Sequence, residues 1–404
     1  MEKPQSCRYC GVTRRKLLVT ANALVKDDRI WVEKSVRSER KGADIMPTRI
    51  VQVGLGRWGL DWAETVIPQV PEVEVVGWVE PNPETLERLK SRLGASPNQC
   101  FPNLDAALSD VAADAILITA NVGAHASLVE RALGAGKHVL VEKPFVSTVV
   151  EAERLVDLAD RSHLILMVSQ NFRFFPAAIT AARLVREQAL GRVGAVHIEF
   201  RRFANYTQAE EAYGVYALRQ PLLEDLSIHH FDLMRMVLGQ EPRQVYCTAW
   251  QPTGSSFREP PAAAVTIIFD QGTVVTYRGS WLSDGKETPY GGEWRLECAE
   301  GEILWTCRGD RDVSLDGDHV VIRKRGQPAV PIRLPEMPSF GRRESLATFA
   351  RAVETGTATP YASLGRDNIG SLVLMQAAIA SATTGCVIPV EAIRSMPGAR
   401  LKGR

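Results

Sequence analysis

The sequence predicts an α/β protein of two domains, the first built on a doubly wound parallel sheet. Three observations predict it. Short, almost wholly apolar runs rich in β-branched residues alternate with helical stretches from Arg49 to about residue 170. The first such run closes on Gly54-Leu55-Gly56-Arg57-Trp58-Gly59, a glycine pattern suited to a strand-to-helix turn. Beyond Pro176 the runs alternate apolar with polar residues, as strands with one covered face do.

Size and composition agree. The chain has 404 residues, enough for two cores, because single cores stop growing beyond roughly 250–300 residues. Its 45% hydrophobic and 24% charged residues, with a formal net charge of +1, are ordinary for a soluble globular protein. They exclude a chain-wide electrostatic grip on nucleic acid or on an anionic membrane. No uninterrupted apolar run approaches the roughly 20 residues that span a bilayer. The seven cysteines are odd in number and mostly scattered, which reads as reduced thiols in the cytoplasm rather than a disulfide framework.

Residues 1–45 stand outside the pattern. They are basic, irregular and without sustained apolar periodicity, and read as a disordered extension. Cys7-Arg8-Tyr9-Cys10 has zinc-ligand spacing, but no second pair follows nearby to complete a tetrahedral site. Thr13-Arg14-Arg15-Lys16 faintly resembles a twin-arginine signal, yet the apolar stretch behind it is short and no small-residue cleavage site follows. Met46, just before the first clear strand, makes a natural start.

From there the predicted strands are Ile50–Val53, Val73–Val79, Ala115–Thr119, His138–Val141 and Leu164–Val168, with helices near 58–67, 84–93, 124–135 and 148–160. The glycine loop between the first strand and helix is the fingerprint of a Rossmann dinucleotide site. Gly54 permits the tight turn, Gly56 lets the backbone approach a pyrophosphate, and Gly59 lets helix and strand pack closely. Arg57 and Trp58 belong to the same loop. The phosphates then meet the free N–H groups at the helix start. The second strand runs into Glu80, about 20 residues past the last glycine, where a carboxylate accepts hydrogen bonds from the adenosine ribose. That carboxylate repels a 2′-phosphate, and Pro81-Asn82-Pro83 supplies no cation to offset it, so NAD is favoured over NADP.

Further on stands Ala135-Gly136-Lys137-His138-Val139-Leu140-Val141-Glu142-Lys143-Pro144, then Gln170-Asn171-Phe172-Arg173-Phe174, then Glu224-Asp225-Leu226-Ser227-Ile228-His229-His230-Phe231-Asp232. With these segments the sequence resembles the Gfo/Idh/MocA family of glucose–fructose oxidoreductases and inositol dehydrogenases, from about Arg49 to the end. The resemblance implies a Rossmann domain, here residues 46–170, followed by a substrate-binding and oligomerisation domain, residues 171–404, on a large, mostly antiparallel sheet. It implies a homodimer or homotetramer formed through the open face of that sheet. The runs 193–203, 243–250, 262–270, 273–281 and 293–298 read as its strands, with a hairpin at Asp270-Gln271-Gly272.

The resemblance also implies hydride transfer between nicotinamide and a hydroxyl-bearing carbon of a sugar, inositol or related polyol, with Lys143, Asp225 and His229 as the catalytic set. His229 suits a proton transfer near neutral pH. Asp225, four residues earlier, would share a helical face with it and orient the imidazole. Lys143, at the C-terminal end of a parallel strand, would stabilise a developing alkoxide or move the proton itself. Either Lys143 or His229 can be the proton acceptor on this reading. Glu142, Thr119, Asn121 and His125 are candidate cofactor contacts, although Ala120-Asn121 stands where the family commonly has Thr-Pro. Arg173 is a candidate substrate contact or a partner for structural carboxylates. Tyr206, Tyr213, Tyr216 and Arg219, with the segment 281–293, are candidates to line the pocket. A redox-neutral NAD-dependent glycosidase and a non-catalytic nucleotide-binding sensor are the competing functions.

Overall fold

The computed structural model describes residues 46–205, 218–309 and 317–394. The expectations for residues 1–45 and for Tyr206, Tyr213 and Tyr216 lie outside these residues. The body described here is the unit that begins at Pro47.

Six parallel strands form the first sheet: β1 (Thr48–Val53), β2 (Val73–Val79), β3 (Cys100–Phe101), β4 (Ala115–Ile118), β5 (His138–Glu142) and β6 (Leu166–Ser169). Their spatial order is β3-β2-β1-β4-β5-β6, so the chain crosses to the other half of the sheet after β3, and the switch point lies between the neighbours β1 and β4. The apolar runs follow from burial on both faces. Val51, Val53, Ile116, Ile118, Val139 and Val141 enter one core, while Ile50, Ala115, Leu117, Leu140 and Met167 enter another. Successive side chains on a strand point to opposite faces, so neither face tolerates a polar residue without a partner.

The first helix differs from the single segment expected near 58–67. Arg57–Asp61 is α-helical, Trp62–Val66 widens into a π-helix, and Ile67–Gln69 tightens to 3₁₀. Pro68, without an N–H, marks where the α-helical ladder can no longer continue. Strand β3 escaped the sequence reading because two residues carry no periodicity.

The second sheet has nine strands: β7 (Val193–Arg201), β8 (Pro242–Trp250), β9 (Ala262–Phe269), β10 (Val274–Ser280), β11 (Glu293–Cys298), β12 (Gly301–Thr306), β13 (His319–Lys324), β14 (Val330–Pro331) and β15 (Ile388–Pro389). Their order is β14-β13-β12-β11-β7-β10-β9-β8-β15. Only the central β7–β10 pairing is parallel. Alternate residues of β7 to β11 are buried, and the other face carries His197, Glu199, Thr266, Thr276 and Arg278. The turn into β10 needs glycine at Gly272, whose φ is +85°.

The helix Gly341–Thr355 does not stay with this second sheet. Leu346, Ala347 and Phe349 pack into the core on one face of the parallel sheet, beside Leu117, Leu140 and Met167. The backbone then meets β6, where Val168 donates to the Ser363 carbonyl at 2.8 Å. No helix among the described residues is long and apolar enough to cross a membrane.

Candidate active site

The glycine loop is built by close approach. Gly54 adopts φ +90°, and a Cβ there would lie 2.4 Å from the Ala120 Cα. A Cβ on Gly59 would lie 1.9 Å from the Gly54 carbonyl oxygen, so only glycine lets this helix pack on its strand. Gly56, by contrast, is exposed, with nothing within 4 Å of its Cβ position. Its backbone is therefore open to a ligand, as a pyrophosphate cradle requires. Glu80 reaches back to this loop: one carboxylate oxygen accepts from the Leu55 N–H at 2.8 Å and the other from the Asn82 N–H at 3.1 Å. Arg57 is exposed beside the loop, and Arg342 stacks over Trp58 at 4.2 Å. Asn121 precedes the helix Val122–Gly134, and its side chain makes no capping bond. These features fit a dinucleotide.

At the C-terminal end of β5 the Lys143–Pro144 peptide bond is cis. The Lys143 ammonium donates to the Asp225 backbone carbonyl at 2.7 Å and to its carboxylate at 2.9 Å. The expectation that Asp225 orients His229 is therefore corrected: the carboxylate goes to Lys143. Residues Leu222–Ser227 wind as a π-helix, so a four-residue spacing into the helix Ile228–Leu238 does not follow α-helical geometry.

His229 is held by an aromatic ring instead. Phe172 stacks on it with centroids 4.3 Å apart and planes 13° from parallel. The imidazole is buried, and its Nδ1 has no hydrogen-bond partner. Burial, and then the nearby Lys143 and His230, hold its pKa well below the ordinary histidine value. It is neutral near pH 7. His230 is fully partnered: its Nε2 donates to the Tyr290 carbonyl at 2.9 Å, so Nδ1 accepts from the Tyr277 hydroxyl at 3.2 Å. Burial lowers its pKa to about 4, against the pull of that carbonyl.

Four expected contacts are committed within the protein. The Thr119 hydroxyl donates to the Gly54 carbonyl at 2.7 Å and fastens the glycine loop. His125 lies buried between the carbonyl oxygens of Ala120, Pro144 and Phe145, at 3.0 to 3.1 Å, and so ties the β4 loop to the β5 loop. Glu142 accepts from the Trp62 indole at 2.9 Å and from the Lys143 N–H at 3.0 Å. Arg173 grips both oxygens of Asp232 at 2.5 and 2.7 Å and pairs with Asp367 at 2.7 Å. Thr119, His125 and Glu142 thus brace the glycine loop and the loops after β4 and β5, and the Arg173 guanidinium is held by buried carboxylates. Asp232 pairs over a long sequence distance, 59 residues from Arg173.

Three residues near Lys143 and His229 were not singled out from the sequence. Phe172 is one. Glu224 is buried with one carboxylate oxygen unpartnered, and burial raises its pKa to about 7, opposed by the charge of Arg219. Gln170 is buried with neither side-chain amide atom partnered. A neighbouring carboxylate and an amide within the quoted motifs were the available signals. Of the pocket-lining candidates, Arg219 is exposed, whereas Trp281 and Tyr290 pack against Phe200 in the core. No cluster of three or more metal-ligating side chains exists among the described residues.

Residues 48–170 match the oxidoreductase family with an NAD-binding Rossmann fold, and residues 178–304 match the GFO/IDH/MocA C-terminal domain. The chain belongs to the Gfo/Idh/MocA oxidoreductase family. An inositol 2-dehydrogenase of Rhizobium meliloti is 23% identical to it, over 83% of this chain and 97% of the relative. A D-apiose dehydrogenase of Paraburkholderia graminis is 25% identical, over 80% and 84%. The crystal structure of an inositol dehydrogenase homolog from Azotobacter vinelandii, complexed with NADH and myo-inositol, gives a TM-score of 0.72 at 17% identity. That match covers 85% of this chain and 98% of the other, and at such identity it speaks to the fold.

Removing Arg173 leaves Asp232 buried, with the Ser371 hydroxyl at 2.7 Å and the Arg235 charge nearby to offset it in part. Arg173→Ala is expected to cost about 3–5 kcal/mol of stability, measured by urea unfolding. A cost under ~1 kcal/mol would mean the pair is not the clamp described here.

Proposed function

We propose that this oxidoreductase is an NAD-dependent dehydrogenase acting on a secondary hydroxyl of a sugar, inositol or related polyol. The observation that carries the reading is the pairing of a carboxylate-held ammonium, Lys143, with a neutral, water-excluded imidazole, His229, at the C-terminal edge of a parallel sheet. Bound NAD supplies the hydride acceptor. The unpartnered Nδ1 of His229 takes the hydroxyl proton as the alkoxide forms, and the Lys143 ammonium hydrogen-bonds the developing negative charge. Asp225 keeps that ammonium aimed. Glu80, fixed by two backbone N–H groups at the ribose end of the cleft, disfavours a 2′-phosphate and so selects NAD. The named activities of the inositol and apiose relatives support the polyol class.

The test is NADH absorbance at saturating NAD across inositols, aldoses, sugar acids and amino sugars. Turnover on one class is expected, falling about 10²–10⁴-fold in Lys143→Met and His229→Ala while NAD still binds. Tight NAD binding with no NADH from any compound would sink this reading and favour a redox-neutral glycosidase. The pH profile tests the proton acceptor. A base works only when unprotonated, and the folded pKa of His229 lies well below 6.5. The kcat/KM for oxidation is therefore expected to hold steady as pH falls through 6.5 and to drop only in more acid solution; a drop centred above 6.5 would exclude His229.

The same reading extends to a homo-oligomer through the open face of the nine-stranded sheet, where Tyr246 and Trp250 are 43% and 39% exposed. Sedimentation velocity is expected to show a dimer or tetramer that Tyr246→Glu weakens; a monomer at micromolar concentration would refute it.

A further inference from the structure

We infer that Gln170 is the residue that recognises the carboxamide of the nicotinamide ring. The inference rests on the NAD-dependent reading above. Gln170 follows β6 directly. The β5–β6 register pairs Glu142 with Ser169, so the next residues, Lys143 and Gln170, lie side by side at the same sheet edge. Its backbone is fastened on both sides: its N–H donates to the Val168 carbonyl at 2.8 Å, and its carbonyl accepts from the Arg173 N–H at 3.1 Å. Two residues on, Phe172 stacks against His229. The side chain is therefore placed by rigid neighbours on the proton-transfer side of the sheet.

That side chain is 1% exposed, and neither its oxygen nor its nitrogen has a partner. An amide buried this way is costly, and native proteins seldom leave both ends unsatisfied. A hydroxyl would answer one end at a time. A second primary amide answers both, donating to the oxygen while accepting from the nitrogen. Position selects the same ligand. Glu80, at the end of β2, marks the adenosine half of the cleft, and a dinucleotide crossing the switch point between β1 and β4 lays its nicotinamide over β4, β5 and β6. Gln170 ends the last of these. Two-point pairing would fix the ring's rotation and hence which face it offers to the substrate carbon.

The experiment is equilibrium binding by calorimetry of NAD, ADP-ribose and 3-acetylpyridine adenine dinucleotide to the full chain and to Gln170→Leu and Gln170→Glu. ADP-ribose lacks the ring, and the acetylpyridine analogue keeps the carbonyl but lacks the NH₂. In Gln170→Leu, NAD binding is expected to weaken about tenfold to a hundredfold, with ADP-ribose unchanged, which also reports an intact fold. The parent's preference for NAD over the acetylpyridine analogue is expected to disappear. Gln170→Glu, which keeps only acceptors, is expected to retain the NH₂ contact and lose less for NAD than for the analogue. Equal weakening of NAD and ADP-ribose, or none of either, overturns the assignment. So does a raised KM for the polyol with NAD affinity intact, which would give Gln170 to the substrate. If the parent shows this discrimination yet yields no NADH, the dehydrogenase reading fails while the Gln170 assignment stands.

Discussion

Arg173 is a guanidinium with almost no access to water, placed between the carboxylates of Asp232 and Asp367. Alone, none of these charges could be buried at tolerable cost. Together they fix three segments that sequence separates widely: the turn after β6, the helix Ile228–Leu238 and the helix Gly365–Thr384. Arg235, one turn on from Asp232, joins the same cluster through Asp367, Glu241 and Ser371. A cluster of this kind is geometrically demanding, because each donor must meet a particular oxygen. That demand sets the distance between the Rossmann sheet, which carries Lys143, and the helix that carries His229.

A second set of contacts works from the other side. The Arg342 guanidinium lies over Trp58 at 4.2 Å and Trp62 at 5.5 Å, and pairs with Asp61 at 2.7 Å. Trp62 in turn donates to Glu142, the residue before Lys143. The glycine loop, its helix and the β5 end are thus joined through one buried tryptophan. The glycine loop and Lys143 therefore share a frame.

Much of this was legible in the sequence. Continuous apolar runs announced the parallel strands, and the glycine spacing placed the turn that Gly54 and Gly59 make sterically necessary. The alternation in β7 to β11 gave the second sheet. Lys143 and Asp225 were named from the sequence, but not their pairing: helical spacing suggests a contact between Asp225 and His229, and only tertiary geometry shows the carboxylate drawn to Lys143 at the end of β5. The sequence offers Thr119, His125 and Glu142 as candidate cofactor contacts; what it does not show is that their polar atoms also satisfy backbone carbonyls, an N–H and an indole inside the protein. Gln170 carries no spacing signal at all; its character comes from what fails to surround it.

The helix Gly341–Thr355 has a consequence for the order in which the protein can be made. It supplies Leu346, Ala347 and Phe349 to the face of the parallel sheet that also holds Ile50, Leu117, Leu140 and Met167. As the chain leaves the ribosome, Leu60, Trp62, Val66 and Ile67 can cover part of that face at once, but the part under Leu346 and Phe349 waits through the synthesis of nearly the whole second sheet. The nascent Rossmann half thus lacks part of its cover, and a fragment cut near residue 170 would lack Leu346, Ala347 and Phe349 as well. The last stretch of the message completes the first sheet to be translated.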